Sequence, residues 1–292
     1  MAGSVPDIAG VVLMCTGYEM VGMDSKLIAG EGKDLPVIFG ASAIGPSHVK
    51  NNIVCQDAWD SAHVGETMGV IALSDGLGSA SMSDTGASLA VRSCVERVKF
   101  YFKTQISDGI LLGDITKNDE ILKDAVRYAR NKIIESAREL DVDRRDLACT
   151  IILILIQDNT VSVAQIGDGA VVGKVSDELC VLSLPGYSEY VNEVIPITHD
   201  SWEENLNVTQ NIRDVICLAA FTDGCQRGIL IKKGDSYEPF AAFFDPLFRY
   251  ASGVTDTHIA GKEISGLLSS QKLSEGLEDD KTLVIALLQQ EM

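Results

Sequence analysis

Apolar segments that end at an acidic residue flanked by glycine recur in this chain, and this pattern constrains the fold more than any other feature. Residues 68–76, 161–169 and 215–224 each show it. Short apolar runs bounded by glycine are typical of buried strands, and glycine permits the sharp turn that ends each run. We therefore predict three strands that each present a carboxylate at one end. The carboxylates are those of Asp75, Asp168 and Asp223.

The order of these features is reversed near the C-terminus, where Asp280 precedes the apolar residues 282–288. In antiparallel neighbours, the end of one strand lies beside the start of the next. Asp280 can therefore join the three strand-ending acids at one edge of the sheet system. Clustered carboxylates repel one another unless a cation neutralises them, and hard divalent cations prefer oxygen ligands. The pattern predicts a site for divalent metal ions.

The composition argues against several classes of function. The 292 residues are 46% hydrophobic, which suffices for a substantial core in one large domain or two small ones. A net charge of −18 opposes nucleic acid or an anionic membrane as the main partner. The seven cysteines lack C-x-x-C spacing, which favours reduced thiols, and no apolar run is long enough to cross a bilayer. We expect a soluble, cytoplasmic protein.

Residues 37–292 are predicted to form a single domain. The preceding segment, residues 1–36, is glycine-rich and weakly patterned, and we expect it to add a strand or to cover the domain. Residues 185–211 hold two prolines and no sustained period, which is typical either of a flap over a functional site or of a plain surface excursion.

Helical periodicity of apolar residues predicts three helices, near residues 85–102, 119–140 and 256–268. Residues 147–175 hold three apolar runs separated by short turns, which predicts a meander of three strands. Many strands with three helices, and no regular alternation between the two, indicate the α+β class.

Five short motifs follow one another along the chain. They are Gln56-Asp57, Asp75-Gly76-Leu77-Gly78, Ile166-Gly167-Asp168, Thr222-Asp223-Gly224 and Asp279-Asp280-Lys281-Thr282. In this order they resemble the motifs of the metal-dependent serine/threonine protein phosphatases of the 2C type, over roughly residues 37–290. The pair Cys149-Thr150 is similar to the small-residue/Thr pair before the family's hairpin, and the whole pattern is closer to the bacterial branch.

This resemblance implies a fold of two antiparallel β-sheets in a sandwich, flanked by α-helices on both sides. It also implies a centre of two Mn²⁺ or Mg²⁺ ions, with a third ion more weakly bound. Six residues would serve these metals: Asp57, Asp75, Gly76, Asp168, Asp223 and Asp280. Asp75 would bridge both ions, the Gly76 carbonyl would bind one, and Asp223 and Asp280 would bind the other. Asp57 would act through metal-bound water, and Asp168 would hold the third ion.

Two positions depart from the family pattern. Asn52 stands where the family often has an arginine that grips phosphate, and Leu77 stands where eukaryotic members often have a histidine. The nearest cationic residues to Asn52 are His48 and Lys50, and we predict that one of them takes over part of the phosphate-gripping role, with His48 favoured. The alternative for His48 is an ordinary loop histidine.

The function implied by the resemblance is hydrolysis of phosphoserine or phosphothreonine on proteins, by a water activated between two metals. Two other hypotheses stay open. One is an inactive relative that serves as a binding or regulatory module. The other is a hydrolase of a small phosphorylated molecule, which the missing arginine keeps under consideration.

Overall fold

The computed structural model of the protein describes residues 35–65, 67–107, 115–184, 194–234, 236–270, 273 and 277–288. These residues form two five-stranded antiparallel sheets, a short two-stranded sheet and six α-helices. The predicted α+β sandwich of two antiparallel sheets is therefore confirmed.

The first sheet has the strand order β1-β12-β9-β6-β7, and the second has the order β2-β3-β4-β5-β8. The strands are β1 Val37–Ala43, β2 Ala58–Val64, β3 Met68–Ser74, β4 Ile151–Gln157, β5 Thr160–Ile166, β6 Ala170–Val175, β7 Glu178–Ser183, β8 Asn207–Ile212, β9 Val215–Phe221, β10 Leu230–Lys233, β11 Ser236–Pro239 and β12 Lys281–Leu287. The helices are α1 Pro46–Asn51, α2 Ser83–Ser107, α3 Asn118–Glu139, α4 Asp223–Ile229, α5 Ala241–Ala251 and α6 Thr257–Leu268.

Three apolar layers hold the sandwich together. The middle layer lies between the two sheets and includes Ile71 and Ile154 of one sheet and Leu218 and Val284 of the other. Helices α2 and α3 cover the outer face of the second sheet, and helices α5 and α6 cover that of the first. Because both faces of each sheet are buried, β3, β4, β9 and β12 can be apolar almost throughout.

The predicted meander over residues 147–175 is only partly right. Strands β4 and β5 form the expected hairpin, but β6 leaves their sheet and pairs with β9 and β7 in the other one. The turn between β5 and β6 therefore crosses from one sheet to the other, and it carries Asp168 at the edge where the two sheets meet.

Three helices were missed by the sequence prediction, namely α1, α4 and α5. Helix α4 has only seven residues, too few to show a repeating apolar pattern. Helix α1 begins at Pro46, within a Gly-Pro-Ser sequence of the kind that usually interrupts regular structure. Proline is tolerated in the first turn of a helix, since the N–H that it lacks has no partner there. Helix α5 contains Pro246 but buries four aromatic and aliphatic side chains against the first sheet, which are Phe243, Phe244, Leu247 and Phe248.

Residues 1–34 of the predicted N-terminal segment and residues 185–193 of the predicted flap lie outside the described residues. Of the rest of the flap segment, Ile197 N–H donates to the Cys149 carbonyl at 2.9 Å, and the buried Trp202 packs with the core under helix α3. Residues from Asn207 onward form β8. Among the described helices, none is both long enough and apolar enough to cross a membrane.

Candidate active site

Three of the predicted acids meet at one end of the sandwich. Asp75 directly follows β3, Asp168 lies in the turn after β5, and Asp223 opens helix α4 after β9. One carboxylate oxygen of each can be chosen so that all three lie within 4.8 Å of one another. Such a spacing allows the three side chains to share one bound cation.

Backbone geometry lets the chain turn sharply at this edge. Gly167 has a φ of 110°, a value that side chains rarely permit, and it turns the chain from one sheet to the other just before Asp168. A Cβ atom on Gly224 would lie 1.8 Å from the Asp280 carbonyl oxygen, so only glycine lets α4 approach the start of β12. These two glycines bring Asp168 and Asp223 to the cluster.

Burial and mutual repulsion raise the pKa values of the carboxylates in the cluster. Burial raises the pKa of Asp75 to about 11, and the charges of Asp57, Asp223, Asp168 and Asp279 add to the rise. Burial, with the charges of Asp168, Asp279 and Asp57, raises the pKa of Asp223 to about 7. The pKa of Asp168 is raised mainly by burial as well. A bound cation would remove this penalty, since it favours the charged form of each carboxylate.

Asp57 lies behind the cluster in a network of hydroxyl groups. Its Oδ2 accepts hydrogen bonds from Thr222 Oγ1 and Thr282 Oγ1, both at 2.8 Å. Burial raises the pKa of Asp57 to about 6, and the two threonine hydroxyls oppose that rise. Its Oδ1 is buried and has no hydrogen-bond partner among the described residues.

Asp280 does not face the cluster, in contrast to our prediction for it. Its carboxylate is buried, and Oδ1 accepts from the Gly45 N–H at 2.6 Å while Oδ2 accepts from the Gln56 N–H at 2.6 Å. His48 Nδ1 also contacts Oδ2, at 2.9 Å. Asp280 thus fixes the segment between β1 and β2 to the start of β12, and both of its oxygens are engaged.

The neighbouring Asp279 occupies the place expected for Asp280. It is exposed and lines a cavity of about 410 Å³ together with Asp75 and Asp223. Its charge also raises the pKa of both of those residues. The structure therefore brings Asp279, and not Asp280, to the acidic cluster.

The cavity lining also includes two basic side chains. His48 and Arg227 line it, along with Gly76, which we had predicted as a carbonyl ligand. Lys50 is exposed and is not among the residues that line the cavity. Of the two predicted phosphate-gripping residues, the structure brings only His48 to the site.

The donor set fits divalent metal ions. Every charged group in the cluster is a carboxylate, and hard cations such as Mg²⁺ and Mn²⁺ prefer oxygen ligands. Asp57 Oδ1, Gln56 Oε1 and Asp168 Oδ1 are buried without a hydrogen-bond partner among the described residues. Buried polar atoms usually have a partner, so these three oxygens near the cluster are suited to bind an ion or a water.

Comparison with known proteins agrees with this geometry. The family model described as "Protein phosphatase 2C" matches residues 44–275, which is most of the chain. The chain belongs to the protein phosphatase 2C family. The prediction that it is a 2C-type serine/threonine protein phosphatase, made from the five motifs, is thereby confirmed.

Individual phosphatases and solved structures are similar to most of the chain. Serine/threonine-protein phosphatase 3 of Escherichia coli (strain K12) is 29% identical over 253 residues, which cover 85% of this chain and 96% of that protein. The serine/threonine phosphatase Stp1 from Staphylococcus aureus has a similar structure, with a TM-score of 0.53, 13% identity, and coverage of 90% of this chain and 100% of that one. PppA from Pseudomonas aeruginosa gives a TM-score of 0.56 at 17% identity, with coverage of 88% and 99%. The two structures support the shared fold.

Two residues of this phosphatase site were missed from the sequence. Asp279 stands in the same motif as Asp280, so the motif pointed to both residues. The sequence prediction chose Asp280, whereas Asp279 is the one that lines the cavity. Arg227 carries no motif signal, since it follows Asp223 on a short helix of seven residues without a repeating pattern.

Proposed function

We propose that this protein removes phosphate from phosphoserine and phosphothreonine residues of other proteins, with two Mn²⁺ or Mg²⁺ ions and a third ion more weakly bound. The observation that carries the proposal is that one carboxylate oxygen each of Asp75, Asp168 and Asp223 lies within 4.8 Å of the other two. When bound, divalent ions supply Lewis acidity and a water that is nucleophilic near neutral pH. No covalent intermediate on the protein is needed.

The metal-binding roles fall to named groups of this chain. We assign Asp75, Asp223 and the Gly76 carbonyl to the two main ions, and Asp168 to the third. Asp279 replaces Asp280 in this set, because Asp279 lines the cavity while both Asp280 oxygens already accept hydrogen bonds. Asp280 instead holds Gly45, His48 and Gln56 in place.

Asp57 is proposed to orient water and not to bind metal directly. Thr222 and Thr282 fix its Oδ2, and its Oδ1 stays free of protein partners among the described residues. A carboxylate oxygen held in this way can accept a hydrogen bond from a water and place it in line with a phosphorus atom.

His48 is the better of the two predicted phosphate-gripping residues. It lines the cavity, and its Nδ1 contact with Asp280 holds the ring at a fixed angle. Lys50 lies in the same helix but is exposed and outside the cavity lining, so we give it no contact with substrate.

A phosphorylated protein is favoured over a small phosphate ester as substrate, because the similar Escherichia coli protein is named as a serine/threonine-protein phosphatase. The net charge of −18 argues against nucleic acid and anionic membranes as partners. The six described cysteines are unpaired, which agrees with our placement of the protein in the cytoplasm.

The test compares turnover of a phosphothreonine peptide with that of a small aryl phosphate, both with Mn²⁺ present. We expect turnover of both, with the higher kcat/KM for the peptide. Asp75→Asn should abolish both activities, while Asp177→Asn should not change them, because Asp177 is fully exposed in the turn between β6 and β7. Turnover of the aryl phosphate alone would favour a small-molecule hydrolase, and no turnover at all would favour an inactive binding module.

A further inference from the structure

Arg227 is the one arginine or lysine that lines the cavity among the described residues. It lies in the last turn of α4, the helix that Asp223 opens, so the same short helix presents an acid and a base to one space. The side chain is exposed, which leaves its guanidinium accessible to a molecule that enters from solvent.

The guanidinium of Arg227 has no ion-pair or hydrogen-bond partner among the described residues, although Asp223, Glu278 and Asp279 line the same cavity. Some surface arginines are paired, and the guanidinium groups of others, such as Arg249, also lack a partner among the described residues, so the place of Arg227 in the cavity lining is what sets it apart. Arg97 pairs with Asp124, and Arg144 pairs with Asp200, at 2.6 Å and 2.7 Å. An unpaired arginine beside several carboxylates remains available to bind an anion.

A phosphate ester has to enter a cavity whose lining includes four acidic side chains, those of Asp75, Asp223, Glu278 and Asp279. Metal ions neutralise the carboxylates that they bind, but the outer phosphoryl oxygens still need donors that hold the group in line for attack. Guanidinium suits this role, since its parallel N–H groups can contact two phosphoryl oxygens at once. His48 is less free to do so, because its Nδ1 already contacts Asp280.

We infer that Arg227 binds the phosphoryl group of the substrate and the phosphate ion that is released. This inference rests on the proposed phosphatase function and adds a substrate-binding residue on α4 to it. The contact forms in the ground state and in the product complex alike, because the guanidinium meets non-bridging oxygens that both species carry. Arg227 therefore contributes to KM and to product inhibition.

The test uses the full chain with Mn²⁺, as wild type and as three variants: Arg227→Ala, Arg227→Lys and Arg249→Ala. Arg249 is a matched control, since it is an exposed arginine in the last turn of α5 and does not line the cavity. Three quantities are measured: the dissociation constant of orthophosphate by calorimetry, kcat and KM for an aryl phosphate, and kcat and KM for a phosphothreonine peptide.

We expect Arg227→Ala to weaken orthophosphate binding by about tenfold or more, as for the loss of a charge-assisted hydrogen bond. KM should rise for both substrates by a similar factor. Arg227→Lys should give an orthophosphate affinity and KM values between those of wild type and Arg227→Ala, because lysine keeps the charge but cannot form two parallel N–H contacts. Arg249→Ala should match wild type, and the affinity for Mn²⁺ should stay unchanged in all variants.

Orthophosphate binding within twofold of wild type in Arg227→Ala would overturn the inference. A rise in KM for the peptide alone would also overturn it, since Arg227 would then contact the peptide and not the phosphoryl group. If the wild type turns over neither substrate, the proposed function fails, and the calorimetric comparison of orthophosphate binding still decides the role of Arg227 by itself.

Discussion

The imidazole of His48 and the carboxylate of Asp280 are in direct contact, with Nδ1 and Oδ2 2.9 Å apart. This contact joins α1 to the start of β12. The Gly45 and Gln56 N–H groups complete the surroundings of the same carboxylate, each at 2.6 Å. Asp280 is therefore committed to holding the chain together, and the adjacent Asp279 is left to face the cavity.

Replacement of Asp279 and of Asp280 should have different effects. Asp279→Asn removes a charge from the cavity, so we expect Mn²⁺ binding by calorimetry to weaken by about tenfold or more, with little loss of stability. Asp280→Asn places an amide NH₂ near backbone donors, so we expect a loss of about 1–3 kcal/mol in the free energy of unfolding. Its Mn²⁺ affinity should fall less than that of Asp279→Asn. The opposite ranking of Mn²⁺ affinities would restore Asp280 as the ligand.

Asp75→Asn should stabilise the metal-free protein while it abolishes turnover. Burial and four neighbouring carboxylates raise the pKa of Asp75 to about 11, so near neutral pH the metal-free protein must protonate Asp75 in order to fold. Asparagine has a similar shape and is always neutral, which removes this cost. We expect the melting temperature in chelator to rise by roughly 2 °C or more, given about 2–4 °C per kcal/mol for a domain of this size. Circular dichroism melts with and without Mn²⁺ measure this effect, with Asp177→Asn as control. A lower melting temperature in chelator would mean that Asp75 has a structural role.

The stability of the metal-free protein should fall as pH rises from about 4 to above 7. The folded pKa values of Asp223 and Asp75, about 7 and about 11, lie above the ordinary aspartate value of about 3.9. The folded state then binds more protons than the unfolded state across this range, so the free energy of unfolding decreases with pH. Below about pH 4 these carboxyl groups are protonated in both states and no longer reduce the free energy of unfolding.

This pH dependence is best measured as a difference between two proteins. Melting temperatures in chelator at pH 5 and pH 7.5 are compared for wild type and Asp223→Asn, because titration of other groups then cancels. We expect the wild type to lose more stability than the variant over this interval. Equal losses would show that Asp223 does not titrate there. With saturating Mn²⁺, the wild type should no longer lose stability between pH 5 and pH 7.5, since metal competes with protons for the same oxygens.

Thr222→Val should impair turnover through Asp57. The Thr222 hydroxyl donates to Asp57 Oδ2 at 2.8 Å, and valine of similar shape cannot. We expect a loss of about 1.5–3 kcal/mol in stability at neutral pH, as for a hydrogen bond to a charged group. The pKa of Asp57 should also rise, which moves the acidic limb of the kcat profile to higher pH. Thr222→Ser keeps the hydroxyl and should restore that limb. If the pH profile of kcat does not move in Thr222→Val, ionisation of Asp57 does not control turnover.

Antiparallel pairing explains why much of the site could be predicted from the sequence. Strand ends and strand starts alternate along one edge of such a sheet, so acids at those positions must meet there. Asp75 and Asp168 meet for that reason, since β3 and β5 run in the same direction in one sheet. Asp223 follows β9 of the other sheet and joins them because the two sheets pack face to face. The five motifs supplied the family. The apolar runs of β3, β4, β9 and β12 gave the strands themselves.

Other parts of the site depend on contacts that a single sequence does not display. Asp279 and Asp280 are adjacent, and the one that faces the cavity is decided by the distant Gly45 and Gln56 N–H groups. Arg227 reaches the cavity because Gly224 lets α4 lie close to the Asp280 carbonyl, which is again a long-range approach. His48 and Lys50 were both chosen by proximity in sequence to Asn52, but helical residues two positions apart point in different directions, and only His48 lines the cavity.

The central claim is that the carboxylate cluster holds divalent metal ions that hydrolysis requires. Its most direct test is the rate of aryl phosphate hydrolysis by wild-type protein after exhaustive chelation, and again after Mn²⁺ or Mg²⁺ is added back. We predict no rate above background in chelator and recovery with added metal, with Asp223→Asn inactive under both conditions. Undiminished hydrolysis after chelation would contradict the claim.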